Sequence, residues 1–232
     1  MVRLIKTSVR FALLLKDDFN GANTAGGGHL FYVDGSPVQP IRKPEGYYVF
    51  TGPPKDSCEV VITSAHYCTR TIRIRDGDLS PEWPVTAVRL YRKPYAPFSD
   101  CEWLEQTLRP GMLGVALTGW EQPLCLRELQ AAGPPGFLAQ GYFPYGIAGQ
   151  RLCLGGGKNR ELLAVTARRP DGSYALEHAA RKKHSAGEAF LRACAAPVDS
   201  GGRCCIPIPP GARDKIVRLL VYDEEVDRWA DS

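Results

Sequence analysis

The sequence predicts a mainly β protein, with an N-terminal antiparallel β-sandwich followed by a second, more irregular β-rich domain. Three observations carry that expectation. Apolar runs of strand length recur between turn signals at roughly 8–12-residue spacing through residues 1–91. No 3.6-residue apolar period of any length accompanies them, so helix is not expected there. Finally, Arg92-Lys93-Pro94-Tyr95-Ala96-Pro97-Phe98-Ser99 breaks the rhythm with prolines that force extended backbone on the residues before them. The expected organisation is a sandwich over 1–91, a linker over 92–100 and a second domain over 101–232.

The first strand is read from Val9, Phe11, Leu13 and Leu15, which alternate with Ser8, Arg10, Ala12 and Leu14. A turn at Asp17-Asp18-Phe19-Asn20-Gly21 and a glycine-rich loop over 23–28 follow. Leu30-Phe31-Tyr32-Val33 is stopped by Asp34-Gly35-Ser36-Pro37, and Tyr47-Tyr48-Val49-Phe50 by Gly52-Pro53-Pro54. Residues 59–63 form a β-branched run. In 68–75, Ile72 and Ile74 are expected to face inward while Thr71, Arg73 and Arg75 meet solvent. Residues 85–91 close the unit.

The order of these features resembles the carboxypeptidase-regulatory-like, or transthyretin-like, β-sandwich family. The resemblance rests on the Asp-containing turn ending in Gly21, the Gly46-Tyr47-Tyr48-Val49-Phe50 element, the Val60-Val61-Ile62 strand, Tyr67 opening the next strand, and Val88-Arg89-Leu90 at the end. Glu45-Gly46 stands where the family usually has Asp-Gly. The resemblance covers 1–91 and implies a sandwich scaffold and a non-catalytic role. It carries no site, and the second half shows no resemblance.

Beyond the linker, Ser99 or Asp100 can cap a short helix that would end by Pro110-Gly111. Strands are expected over 113–117, 124–127 and 151–154. The strongest hairpin signal is 161–169, the turn Pro170-Asp171-Gly172, and 173–178. Further strands are read at 188–195, 204–208 and 215–222, followed by the acidic run Asp223-Glu224-Glu225-Val226-Asp227.

Composition narrows the function classes. The formal net charge is +4; residues 1–98 carry 13 Lys/Arg against 9 Asp/Glu, and the remainder balances at 16 against 16. Nothing in this demands nucleic acid. The apolar run Phe11-Ala12-Leu13-Leu14-Leu15 is too short for a signal peptide and lacks a small-residue cleavage site. No stretch approaches the ~18–20 apolar residues of a membrane span. The expectation is a protein that is cytoplasmic when synthesised. The eight cysteines contain no Cys-x-x-Cys pair and sit in strand contexts, as buried reduced thiols do.

Catalytic chemistry is not legible. His29, His66, His178 and His184 form no metal-binding pattern, and no Gly-x-Ser-x-Gly is present. His66 and Cys68 share a strand face, but nothing supplies an orienting third group. Gly155-Gly156-Gly157-Lys158-Asn159 fails as a phosphate loop, since Leu152 replaces the required glycine, Asn159 the Ser/Thr, and a strand follows. It reads as a hairpin loop. No cofactor and no metal are expected.

Two groups remain as candidate partner-binding residues. Phe137, Tyr142, Phe143 and Tyr145 lie among Gly and Pro in a long loop, where aromatic rings favour contact surfaces. Arg181, Lys182 and Lys183, with Arg168-Arg169 across the hairpin, make the densest basic patch. The acidic run 223–227 is expected to complement that patch on a neighbouring subunit. The chain is thus expected to be a non-enzymatic structural or interaction protein with protein partners in a larger complex, such as a phage-tail-like contractile particle. The alternative is a carbohydrate-binding module using the loop aromatics.

Overall fold

The computed structural model describes residues 8–24, 28–53, 55–80, 82–120, 124–130, 134–140, 147–224 and 226–230. Strands take up 53% of the chain and helix 4%, which makes the protein mainly β. By its internal contacts the chain forms two units, Met1–Asp17 with Ala22–Ala96, and Asp18–Gly21 with Pro97–Ser232.

The first unit contains β1 (Val9–Asp17), β2 (Leu30–Val33), β3 (Ser36–Val38), β4 (Ile41–Arg42), β5 (Tyr47–Thr51), β6 (Ser57–Thr63), β7 (Arg70–Arg75) and β8 (Val85–Leu90). They make two four-stranded sheets, ordered β4-β5-β1-β8 and β3-β2-β6-β7. The period-2 alternation sends Phe11, Leu13, Leu15, Tyr48 and Phe50 of one sheet and Phe31, Val60, Ile62 and Ile74 of the other into a common core. The sheets meet where the Phe31 ring lies 4.8 Å from Tyr48 and 5.5 Å from Phe50, on which Phe11 stacks at 4.6 Å. This face-to-face arrangement is a sandwich.

Three details depart from the sequence expectation. Pairing is antiparallel throughout this unit except between β1 and β8, which run parallel. These are its first and last long strands, and the intervening chain is long enough for the crossover that parallel neighbours need. Val9 stays exposed instead of extending the core face, because the register with β5 shifts between Val9 and Phe11. Asp34-Gly35 does more than end a strand. Both residues have positive φ, 49° and 78°, the geometry of a two-residue hairpin that pairs Val33 with Ser36. Pro37 is tolerated because β3 lies at a sheet edge.

The end of this unit also differs from the expected linker. Arg92 is buried against Asp17, with Nε 2.8 Å from Oδ2 and the two side chains 2% and 4% exposed. The Tyr67 hydroxyl donates to the same Asp17 oxygen at 3.1 Å.

The second unit contains β9 (Glu102–Thr107), β10 (Leu113–Thr118), β11 (Cys125–Leu129), β12 (Gly136–Gln140), β13 (Arg151–Leu154), β14 (Glu161–Arg168), β15 (Tyr174–Leu176), β16 (Phe190–Pro197), β17 (Arg203–Ile208), β18 (Ile216–Asp223) and β19 (Arg228–Ala230). Nine of these strands form a curled half-barrel sheet ordered β11-β12-β15-β14-β13-β16-β10-β18-β19, and β17 pairs with β9 as a separate ribbon. Residues 102–107, expected as part of a short helix, are a strand. Leu104 lies opposite Ile206 of β17, and both are buried with Ala116, Cys194 and Ala196. Non-local pairing and burial of one face override the local capping signal here. A second core gathers Leu152, Leu154, Leu163, Val165, Leu176 and Phe190 under the other end of the sheet. Among the described residues no helix is long and apolar enough to cross a membrane.

Candidate functional site

Phe137, expected at a contact surface, belongs to the core. It is fully buried in β12, its ring 5.3 Å from Tyr174 and 4.7 Å from Phe190. Its strand pairs on both sides, with β11 and β15, so period-2 alternation turns the ring inward. Tyr142, Phe143 and Tyr145 lie outside the described residues.

Within the basic run 181–184, Arg181 and Lys183 are exposed, Lys182 is half-buried and the His184 side chain is buried. Glu161, at the start of β14, accepts the backbone N–H groups of Arg181 at 2.7 Å and Lys182 at 3.2 Å. The His184 ring is fully buried between two carboxylates, with Nε2 3.2 Å from Glu161 and Nδ1 2.7 Å from Glu188. Glu188 also accepts the Ser185 backbone N–H at 2.8 Å. That bond, followed by the His184 contact, holds the Glu188 carboxyl below its ordinary range. These contacts clamp the 181–188 loop onto β14. The acidic run is likewise used within its own chain. Asp227 meets Arg181 at 2.6 Å and accepts the Tyr222 hydroxyl. Within the run expected to meet the basic patch of a neighbour, Asp227 thus pairs with a residue of that patch in its own chain.

The clamp fixes one wall of a groove. Its lining consists of Gly157, Lys158, Arg160, Lys182, Arg218, Leu220, Asp227, Arg228 and Trp229, enclosing about 540 Å³. Each side chain has a structural reason to be there. Gly155, at φ +76°, turns the chain out of β13 into a single 3₁₀ turn at Gly157–Asn159, which presents Lys158. The Lys182 ammonium donates to the carbonyls of Lys158 at 3.1 Å and Arg160 at 2.7 Å, tying the two wall segments together. On the opposite wall, Tyr222 and Trp229 are direct cross-strand partners with ring centroids 5.0 Å apart. The Trp229 indole N–H donates to the Arg160 carbonyl at 3.1 Å, and the Arg160 guanidinium lies 5.3 Å over the indole. Arg218 and Leu220 enter from one face of β18, opposite Leu117 and Val115 of β10.

Among the described residues, five that carry cationic side chains line this space together with one that carries a carboxylate, Asp227. Low-dielectric walls lined by one sign of charge focus the field and attract an anion. The Asp227 carboxylate and burial also push the Tyr222 phenol up, burial being the larger cause, so it stays a neutral donor. The thiols face different conditions. Burial pushes Cys153 up to about 12, outweighing nearby Arg160 and Lys182, and Cys194 up to about 11. Neither is poised as a nucleophile.

Of the basic residues singled out from the sequence, Lys182 lines the groove, Arg181 pairs beside it, and Lys183 is exposed without lining it. Lys158, Arg160, Arg218, Arg228 and Trp229 were not legible as a set. They come from three separated segments, and only the alternation of Arg218 with the apolar residues of β18 hinted at its face. No protein-family model, curated protein or solved structure matches the chain.

Proposed function

We propose that the protein is a non-enzymatic interaction protein, a component of a larger protein assembly, whose second unit docks an acidic segment of a protein partner. The observation that carries this reading is the convergence of Lys158, Arg160, Lys182, Arg218 and Arg228 on one groove where, among the described residues, Asp227 is the one carboxylate. Its volume of about 540 Å³ is within the range that accommodates a few side chains of a ligand. Arginine forks match carboxylates in two parallel hydrogen bonds. A protein partner fits better than a nucleic acid. Arg160 lies over one face of Trp229, and Tyr222 packs at a tilt beside the same indole, which leaves less of the ring for stacking on bases. The high-lying Cys153 and Cys194 thiols support a binding role over thiol catalysis.

The test uses fluorescence anisotropy with a labelled oligoglutamate peptide and, separately, a single-stranded oligonucleotide of equal charge. The peptide is expected to bind, to weaken as salt rises through the physiological range, and to lose at least about tenfold in affinity on Arg218→Glu/Arg228→Glu. Preferential binding of the oligonucleotide would replace the protein partner by nucleic acid. If neither probe binds, the groove is not a docking site.

A further inference from the structure

Asp227 brings to the cationic groove the group that an acidic partner would bring. Among the described lining residues it is the one carboxylate, and its two oxygens have different partners. Oδ2 meets the Arg181 guanidinium at 2.6 Å, and Oδ1 accepts the Tyr222 hydroxyl. The backbone explains how it gets there. β18 ends at Asp223, opposite Arg228 of β19, so residues 224–227 make the connection between the two strands. Asp227 closes that connection with a φ of +49°. Few side chains adopt this region, whereas glycine adopts it freely. What aspartate adds over glycine here is the carboxylate, which the turn sets onto Arg181 and Tyr222.

The two ends of the connection are held differently. Glu224, next to β18, pairs with Arg151 at 3.2 Å. Val226, beside Asp227, is 63% exposed, so apolar packing does little to fix the end that carries the carboxylate. That end depends on the Tyr222 hydroxyl and on Arg181, an ion pair whose side chains are 36% and 68% exposed and which is correspondingly weak. A carboxylate on so short a tether competes as an intramolecular ligand at high effective concentration. A segment with several acidic side chains can still displace it, because it meets Lys158, Arg218 and Arg228 together in exchange for those two contacts. Building on the acidic-partner reading of the groove, we propose that Asp227 is a built-in competitor, latched by Tyr222 and Arg181, which an acidic partner segment displaces when it binds.

The experiment measures the anisotropy of the labelled oligoglutamate peptide with four full-length proteins: the wild type, Asp227→Gly, Tyr222→Phe and the double variant. Glycine takes a φ of +49° without strain, so the first substitution removes the carboxylate and keeps the turn. Phenylalanine keeps a ring beside Trp229 and changes no charge. Loosening the latch by Tyr222→Phe is expected to tighten binding about tenfold, the equivalent of one hydrogen bond to a charged group. Asp227→Gly is expected to tighten it at least as much. The double variant is expected to bind like Asp227→Gly, because the hydroxyl acts only through the carboxylate. If Asp227→Gly tightens binding and Tyr222→Phe leaves it unchanged, Asp227 is a fixed like charge; displacement is then overturned and the acidic-partner reading stands. Displacement is also overturned, with that reading intact, if Asp227→Gly leaves binding unchanged, if either single variant weakens it, or if Tyr222→Phe tightens it equally in the Asp227→Gly background. No binding by any of the four proteins would overturn both.

Discussion

Asp17 and Arg92 form an ion pair of 2.8 Å in the first unit, with side chains 4% and 2% exposed, and Tyr67 donates to the same carboxylate oxygen. Replacing Asp17 by Asn keeps the size and one acceptor but removes the charge opposite the buried guanidinium. Breaking a buried pair from one side typically costs about 3–5 kcal/mol, far above the ~1 kcal/mol of an exposed pair. Tyr67→Phe removes only one neutral donor, a loss of about 1 kcal/mol. For a unit of roughly 90 residues, 3–5 kcal/mol lowers the Tm by at least about 12 °C. The assay is native-state hydrogen exchange resolved along the chain, with β16 in the second unit as internal reference. Asp17→Asn is expected to lower the opening free energy of β1 and β8 amides by about 3–5 kcal/mol and leave β16 unchanged. Asp17→Leu/Arg92→Met, apolar on both sides, is expected to lose less than the single variant. The reasoning fails if Asp17→Asn costs no more than Tyr67→Phe, or if the double variant is the worse of the two.

Three further outcomes follow from the second unit. Phe137→Ala is expected to destabilise it by about 3–5 kcal/mol in urea unfolding, as for a buried core ring; near-neutral stability would return that residue to the surface. Gly155→Ala places a methyl 2.9 Å from the Glu188 carboxylate at a φ of +76° and is expected to cost about 1–2 kcal/mol. Gly156→Ala next to it meets nothing within 4 Å and is expected to be neutral or slightly stabilising. Glu188, held below its ordinary value of 4.5, favours the folded loop only while ionised. Its contribution is complete above pH 4.5 and is lost as the pH falls through the lower folded value, so amides at 181–188 are expected to open selectively under acid. Unchanged protection of that loop after correction for intrinsic exchange would refute the clamp.

How much was legible follows from the range of each interaction. Strand identity was readable where alternation is local. Phe11, Leu13 and Leu15 on β1, Ile74 on β7, and the Pro170-Asp171-Gly172 hairpin each announce themselves within a few residues. Residues 102–107 were misread because capping signals are also local, and the force that made them a strand came from β17, about a hundred residues later. Phe137 was misplaced for the same reason. Gly and Pro around an aromatic describe a loop equally well whether its ring points outward or stacks on Tyr174 and Phe190.

The basic run shows the division most plainly. From the sequence, Arg181, Lys182 and Lys183 were a basic patch offered to a partner. Folding closed Glu161 and Glu188 around His184, turned Lys182 toward two carbonyls, and brought Arg218, Arg228 and Trp229 in from β18 and β19. By itself the sequence determined the β character, most of the strands and the hairpins, because these depend on a two-residue period and on turn residues. Only the tertiary structure decided which charges share a groove. That depends on the order of strands in the sheet and on its curl, and it leaves no trace in the spacing of residues along the chain.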